Sequence, residues 1–217
     1  MKQLFMRTTI AVAALVLTAC VAPPKPYDYT AFKAARPASL LIMPPINESP
    51  DVRGTYSVLA QSTMPLAEAG YYVLPVTLVD ETFRENGLTT PTDIQAVDAA
   101  KLRSIFGADA AVYMTIKQYG TSYNVVSGDA TVVLQAKIVD LRDGKLLWEG
   151  ASWASTAEGQ SNQGGLAGML IKAVISQIVN QATEASHRVA NTASVRLFTH
   201  VRQNGVLPGP RLPEQAK

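Results

Sequence analysis

The chain has 217 residues, of which 47% are hydrophobic and 17% charged. This balance is typical of one globular domain and too apolar for a disordered protein. The formal net charge of +2 falls to zero if an N-terminal segment with Lys2 and Arg7 is removed, because that segment contains no acidic residue. A neutral chain lacks the clustered basic surface that nucleic-acid binding needs, so we expect no nucleic-acid partner.

The first nineteen residues have the pattern of a secretory signal peptide. Lys2 and Arg7 precede the apolar run IAVAALVL, and small residues follow it. The run is much shorter than the roughly 20 residues that span a bilayer as a helix. Residues 1–19 are therefore predicted to be a signal peptide and are excluded from the fold.

The only cysteine of the chain, Cys20, follows this segment directly. A lone cysteine forms no internal disulfide, and with two distant histidines, His187 and His200, it makes a poor metal site. The sequence Leu17-Thr18-Ala19-Cys20 resembles the bacterial lipobox. The resemblance implies diacylglycerol on the Cys20 sulfur, cleavage before Cys20 and a third acyl chain on the new amine. An incidental cysteine after an ordinary signal peptide is the alternative.

The residue after the lipobox bears on the destination of the anchored chain. Position 21 is Val rather than Asp, and by resemblance to the lipoprotein sorting rule this implies the outer membrane rather than retention in the inner membrane. We expect the domain to face the periplasm, and exposure at the cell surface is the alternative. Three acyl chains would make the attachment effectively permanent, because two already anchor stably.

Prolines mark both ends of the mature chain. Four of them lie between Val21 and Pro37, and since proline fixes φ and donates no backbone hydrogen bond, residues 20–36 are predicted to be an extended tether. Residues 201–217, also rich in proline and without a periodic apolar face, are predicted to be a flexible tail. A single domain then spans residues 37–200.

The first half of the domain alternates strand and helix patterns. SLLIMPP, from residue 39, predicts a buried strand, and a helical pattern over residues 54–69 follows it. YYVLPV predicts a second strand, and helical patterns resume at 77–86 and at 93–109. The predicted order is β-α-β-α-α.

From residue 110 the apolar period changes to two. Three strands rich in β-branched and aromatic residues are predicted at 110–120, 123–141 and 145–156, and the last two are joined by a turn at 142–145. Val132 and Leu134 should share one sheet face and Val133 the other, while Trp148 and Trp153 should lie on opposite faces. The fold class is therefore α/β: a two-layer or three-layer sandwich with a mixed sheet, an antiparallel meander and a long C-terminal helix.

That last helix is predicted over residues 166–190. Polar residues recur along one side only, at Lys172, Ser176, Asn180 and Thr183. The remaining apolar surface, which includes Ile171, Ile175 and Val179, is wider than one sheet contact requires. Either it is a central helix covered on two sides, or part of it faces a partner.

No catalytic signature occurs in the sequence. G-x-S-x-G, H-E-x-x-H and a P-loop lysine are all absent. The polar residues Asn47, Glu48, Ser49 and Asp51 follow the first strand. They could bind a ligand at the carboxyl end of the strand, or form a turn and the N-cap of the next helix. NQGGLAG, residues 162–168, is either an anion site at a helix start or a flexible loop. We predict no catalytic residue, no metal and no cofactor.

The order of four phrases, LLIMPPINES, PLAEAGYYVLPV, FGADAAVYMTIKQYG and GKLLWEG, resembles a family of bacterial lipoproteins of unknown molecular function. One member of that family is a neisserial surface-antigen candidate. The resemblance covers most of residues 36–185. The first and third phrases are also similar to the periplasmic domains of the curli-secretion-channel lipoprotein and of lipoproteins that activate penicillin-binding proteins.

These resemblances imply an α/β sandwich that binds or assembles envelope proteins without catalysis. The implied partners are the membrane, through the lipid, other envelope proteins including a curli-channel-like lipoprotein, and a second copy of the chain. The alternative is a transport-system lipoprotein that carries a small apolar ligand. A deep apolar pocket under the meander would favour the carrier, whereas a filled core with exposed apolar surface would favour association.

Overall fold

The computed structural model describes residues 26–124, 127–159 and 179–213. The elements in chain order are α1 (Thr30–Ala35), β1 (Ser39–Ile42), β2 (Ile46–Asn47), α2 (Gly54–Glu68), β3 (Tyr72–Val73), α3 (Val76–Glu85), α4 (Pro91–Gln95), α5 (Ala99–Phe106), β4 (Ala110–Asn124), β5 (Ser127–Asp140), β6 (Leu146–Ser155), a 3-10 turn (Thr156–Gly159) and α6 (Val179–Phe198).

The described strands form one mixed sheet in the order β3-β1-β4-β5-β6, and β2 pairs with β4 beyond the end of β1. β1 is parallel to β3 and β4, whereas β4, β5 and β6 are antiparallel. The predicted α/β class and the antiparallel meander are confirmed. The two-residue strand β2 was not predicted, because it is too short to show a period.

Among the described residues, helices cover both faces of the sheet at β1 and one face of the meander. Successive β1 residues point to opposite sides: Leu40 joins the core beneath α2 and α6, and Leu41 joins a second core with Phe83 of α3 and Ile94 of α4. On β5, the side chain of Gln135 faces away from α6 and is exposed. The described part of the sandwich therefore has three layers at the parallel strands and two at the meander.

The predicted face assignments of the meander are confirmed. Val132 and Leu134 are fully buried while Val133 between them is partly exposed. Trp148 is 1% exposed and Trp153 is 55% exposed. The buried face packs against α6, whose small residues allow close approach of the two backbones.

Two predicted helices need correction. The pattern over 93–109 is not one helix, because Asp98 takes an extended backbone and its side chain accepts hydrogen bonds from the N–H groups of Ala100 and Lys101. α4 ends at Gln95, and this N-cap starts α5 at Ala99. The C-terminal helix continues past the predicted end at residue 190 to Phe198, because Ala190, Ala193 and Leu197 extend its buried stripe.

The ends of the domain also differ from the predicted boundaries at residues 37 and 200. α1 lies within the predicted tether, yet its Phe32 is 3% exposed and belongs to the main core. In the predicted tail, Val206 is buried and the Gly209 N–H donates to the Ala69 carbonyl at 2.7 Å. The prolines do not prevent these two segments from packing onto the domain, so residues 26–36 and 201–213 belong to the folded domain.

Candidate functional site

An exposed apolar group lies on the face of the meander that no described helix covers. Trp153 of β6 is opposite Val133 of β5, and Ala151 shares their face because it is two residues away along the strand. We name Val133, Ala151 and Trp153 the Trp153 surface. Scattered apolar residues are normal on a protein surface, but a large aromatic side chain with an aliphatic neighbour is a typical anchor for a protein partner.

A cleft of about 390 Å³ lies beside the Trp153 surface, between β6 and the C-terminal end of α6. Its wall includes Trp153, Arg196 and Arg202. The Arg196 guanidinium donates to the Trp153 carbonyl at 2.9 Å and pairs with Glu158 at 2.8 Å. The backbone at Trp153 is thus held while its indole stays in solvent, so the surface combines an apolar ring with neighbouring cations.

The outer edge of β6 is occupied by side chains. Besides the bond from Arg196 to the Trp153 carbonyl, the Glu158 carboxylate accepts from the Ser155 N–H at 2.8 Å. Tyr27 lies against Glu149, and its pKa is raised by burial and by the Glu149 charge. Since these contacts block much of the strand edge, a partner is better placed to dock on the face than to add a strand.

A second concave surface lies between α2 and α6. It has a volume of about 610 Å³ and is lined by Arg53, Tyr56, Ser57, Tyr119, Glu184, His187 and Arg188. We name it the α2–α6 groove. Tyr56 projects from it half exposed and forms a cation–π contact with Arg84, whose guanidinium carbon is 5.9 Å from the ring centre.

His187 joins the two helices that form this groove. Its Nδ1 is 2.7 Å from the Ser57 hydroxyl, and its Nε2 bonds to the side-chain amide of Gln61. Both ring nitrogens are engaged by side chains of α2, so His187 links the two helices.

The four polar residues after β1 form a local turn. Asn47 Oδ1 accepts from the Ser49 N–H and hydroxyl, and Asn47 Nδ2 donates to the Asp51 carbonyl at 2.8 Å. Asp51 pairs with Arg53 at 2.6 Å, and this hydrogen bonding lowers the pKa of the carboxyl group. Glu48 pairs with Lys117. The turn is confirmed, but the N-cap is wrong: α2 begins after Arg53 with no side-chain cap.

Several predicted site residues lie outside the described residues. These are Cys20, the loop 162–168, Ile171 and Ile175. Val179 is the first residue of α6, and its side chain is not described. His187 lies in the α2–α6 groove, whereas His200 follows the other end of α6.

Residues 26–124, 127–159 and 179–213 contain neither a candidate metal site nor a candidate membrane span. No group of three or more His, Cys, Asp or Glu side chains in these ranges is placed to hold a metal ion. None of the helices there combines the length and the apolar character needed to cross a membrane.

The profile of a lipoprotein family, described as "Putative lipoprotein GNA1162-like", matches residues 27–211. The chain belongs to this family. The matched region begins at Tyr27 and ends at Arg211, which agrees with the domain ends that the packing gives. The resemblance to a neisserial antigen-type lipoprotein family is thereby confirmed, and the chain is a lipoprotein of the cell envelope.

Two matches at 49% identity agree with this assignment. "Putative lipoprotein NMB1124/NMB1162" of Neisseria meningitidis serogroup B is 49% identical over 205 residues, which are 94% of each chain. The crystal structure of lipoprotein GNA1162 from Neisseria meningitidis matches with a TM-score of 0.53 at 49% identity, over 66% of this chain and 99% of that chain. A PelC dodecamer from Paraburkholderia phytofirmans matches at 12% identity and a TM-score of 0.46, over 74% of this chain and 86% of that chain.

Proposed function

We propose that this GNA1162-like lipoprotein is held in the outer membrane by acylated Cys20, faces the periplasm, and works without catalysis by binding other envelope proteins. The lipobox supports the anchor, and Val21 supports the outer membrane. The class of partner follows from the sequence resemblance to lipoproteins of envelope assemblies. A curli-channel-like lipoprotein and a second copy of the chain are the partners to test first.

The observation that carries the proposal is the exposure of Trp153 above a filled core. Directly beneath the meander, Leu134 and Trp148 are buried against α6, with Ala193 and Phe198 among their neighbours in the core. The described core directly beneath the meander is thus filled by side chains. The apolar side chains that a partner can reach are therefore on the surface of the protein. At protein–protein interfaces, tryptophan is enriched among the few residues that contribute most of the binding energy.

Carriage of a small apolar ligand is the second candidate, and it depends on the α2–α6 groove. The volume of about 610 Å³ is within the range of small-molecule sites, but the groove is open and has three charged side chains, Arg53, Glu184 and Arg188, along it. A fluorescent fatty acid that binds the wild type but not a Tyr56→Ala variant would favour this function over association.

The decisive experiment places a photo-crosslinking amino acid at position 153 in the full acylated chain and irradiates intact cells. We expect one discrete adduct whose tryptic peptides identify an envelope protein or a second copy of the chain. Position 146 is the matched control, because Leu146 is also on β6, is 44% exposed and pairs with Val139 on the same open face.

Affinity supplies the quantitative check. Trp153→Ala should weaken capture of the identified partner about tenfold or more, equivalent to about 1.4 kcal/mol, while Leu146→Ala leaves it unchanged. Equal loss in both variants, or no adduct at position 153, would contradict the assignment of this surface. Turnover of a substrate by the purified domain, abolished by one polar substitution, would contradict the non-catalytic function.

A further inference from the structure

The described chain begins very close to the predicted anchor. Pro26 is the first described residue, six positions after Cys20. Because an extended chain spans at most about 3.6 Å per residue, the Cys20 backbone lies within roughly 22 Å of Pro26. The surface of the domain around Pro26 is therefore held near any bilayer that contains the acyl chains of Cys20.

That surface includes the turn after α6. The Tyr27 N–H donates to Asn204 Oδ1 at 2.9 Å, and the Tyr29 hydroxyl donates to the Gly205 carbonyl. These two bonds tie the incoming chain to residues 199–205. We name this turn together with residues 26–36 the anchor-side end.

The chemistry of the anchor-side end suits a lipid headgroup region. Val201 is at the exposed part of the turn with 81% of its surface accessible, and Arg202 beside it is also exposed. α1 and its C-cap add the exposed cations Lys33 and Arg36. These three cations outnumber Asp28, the exposed acidic residue of the anchor-side end. A bilayer can therefore take the apolar tip among its acyl chains while the cations reach lipid phosphates.

We propose that the anchor-side end lies on the bilayer, with Val201 at the boundary of headgroups and acyl chains and with Lys33, Arg36 and Arg202 near lipid phosphates. This orientation rests on the proposed acylation of Cys20. It commits the surface to lipid rather than to a protein partner.

The same orientation directs the α2–α6 groove away from the membrane. α2 and α6 run side by side in the same direction, since Ser57 contacts His187 and Ser62 contacts Ser194. From His187 in the groove to Phe198, eleven residues at 1.5 Å each give about 16 Å along α6, and the anchor-side turn lies beyond that end. The groove is thus open to periplasmic molecules when Val201 contacts lipid.

The test uses the full acylated chain in vesicles of phosphatidylethanolamine and phosphatidylglycerol. Acylation occupies the sulfur of the only natural cysteine, so a Val201→Cys variant has one free thiol, which is labelled with the environment-sensitive dye NBD. Val52→Cys is the matched control, because Val52 is 83% exposed and precedes the groove residue Arg53. Lipids that carry a nitroxide near the headgroup then quench the dye according to its depth.

We expect several-fold stronger quenching and a blue-shifted emission at position 201 compared with position 52. Equal quenching at the two positions, or stronger quenching at position 52, overturns the orientation even if the anchor is present. Intact-mass spectrometry of the same sample reports the acyl chains separately. A chain without acyl mass refutes the proposed anchor, and the orientation then fails with it.

Discussion

Trp148 and Trp153 lie on opposite faces of the same edge strand, five residues apart. The Trp148 ring is buried 6.2 Å from the Phe198 ring centre, and its indole N–H donates to the Asn204 carbonyl at 3.0 Å. The Trp153 ring faces solvent. One strand thus supplies both a main anchor of the core and the main exposed apolar side chain of the meander.

Substitution by alanine should affect the stability of the domain very differently at the two tryptophans. Trp148→Ala should lower the free energy of unfolding by about 3–5 kcal/mol, because it leaves a large cavity under the meander. Trp153→Ala should change it by less than about 1 kcal/mol, since no buried contact is lost. Urea unfolding followed by far-UV circular dichroism measures both values. Comparable losses in the two variants would contradict the face assignment.

The sequence was most informative where one physical signal dominates. Alternation with period two placed Val132, Leu134 and both tryptophans on the correct faces, because one face of the meander is buried and the other is open. The boundary between α4 and α5 was missed because a capping aspartate, Asp98, interrupts a continuous helical pattern. At that point the hydrogen bonds of the Asp98 side chain, and not the apolar period, decide where the helix begins.

The concave surfaces could not be predicted from sequence in the same way. The α2–α6 groove joins Tyr56, Tyr119 and His187, which are far apart in the chain. No spacing rule connects such residues, because their proximity depends on how α6 packs against α2. The Trp153 surface was foreseeable as a face, but the bond from Arg196 that holds its backbone was not.

Gly209 should not tolerate a side chain. A Cβ there would be 2.4 Å from the Gly70 carbonyl oxygen, which belongs to the backbone. Gly209→Ala should therefore cost about 2 kcal/mol or more, because the C-terminal segment must move away from α2 and β3. The exposed neighbour Pro210 is the control, and Pro210→Ala should cost less than about 1 kcal/mol. An unchanged urea midpoint for Gly209→Ala would show that the segment is not packed here.

The ion pair of Asp140 and Arg142 should make stability depend on pH. The Arg142 side chain donates to the Asp140 carboxylate and holds its pKa below the ordinary value, although burial opposes this shift. A lowered folded-state pKa adds stability above the unfolded value of about 3.9, and this contribution is lost as pH falls through the folded value. Asp140→Asn should therefore cost about 1 kcal/mol at neutral pH, because Arg142 is half exposed and water screens the pair.

The pH profile separates this effect from general acid unfolding. The stabilities of the wild type and Asp140→Asn should converge as pH falls from the ordinary carboxyl pKa through the lowered folded-state pKa of Asp140, below which Asp140 is protonated and resembles asparagine. Asp143→Asn is the control, since Asp143 pairs with Lys145 on the exposed turn and should have a smaller effect. A difference between wild type and Asp140→Asn that stays constant from neutral to acidic pH would contradict the assignment.

Cys20 should be the only site of lipid attachment. The Cys20→Ser variant should remain unprocessed and should not be labelled in cells by an alkyne analogue of palmitate, because the sulfur that receives diacylglycerol is missing. Labelling is detected by fluorophore coupling and gel electrophoresis. Wild-type labelling should be strong, and equal labelling of the two proteins would mean that the lipid is elsewhere.

The two docked ends should be needed for the stability of the domain. A chain shortened to residues 37–200 loses the burial of Phe32 and Val206 and the hydrogen bond to the Trp148 indole. Burying a phenylalanine side chain contributes about 1.5–3 kcal/mol, and whole domains are stable by only about 5–15 kcal/mol. The shortened chain should therefore unfold at a clearly lower urea concentration than a chain of residues 26–213, which keeps every described contact. If the two urea midpoints agree within about 0.5 M, residues 26–36 and 201–213 do not contribute measurably to the stability of the domain, and the prediction is wrong.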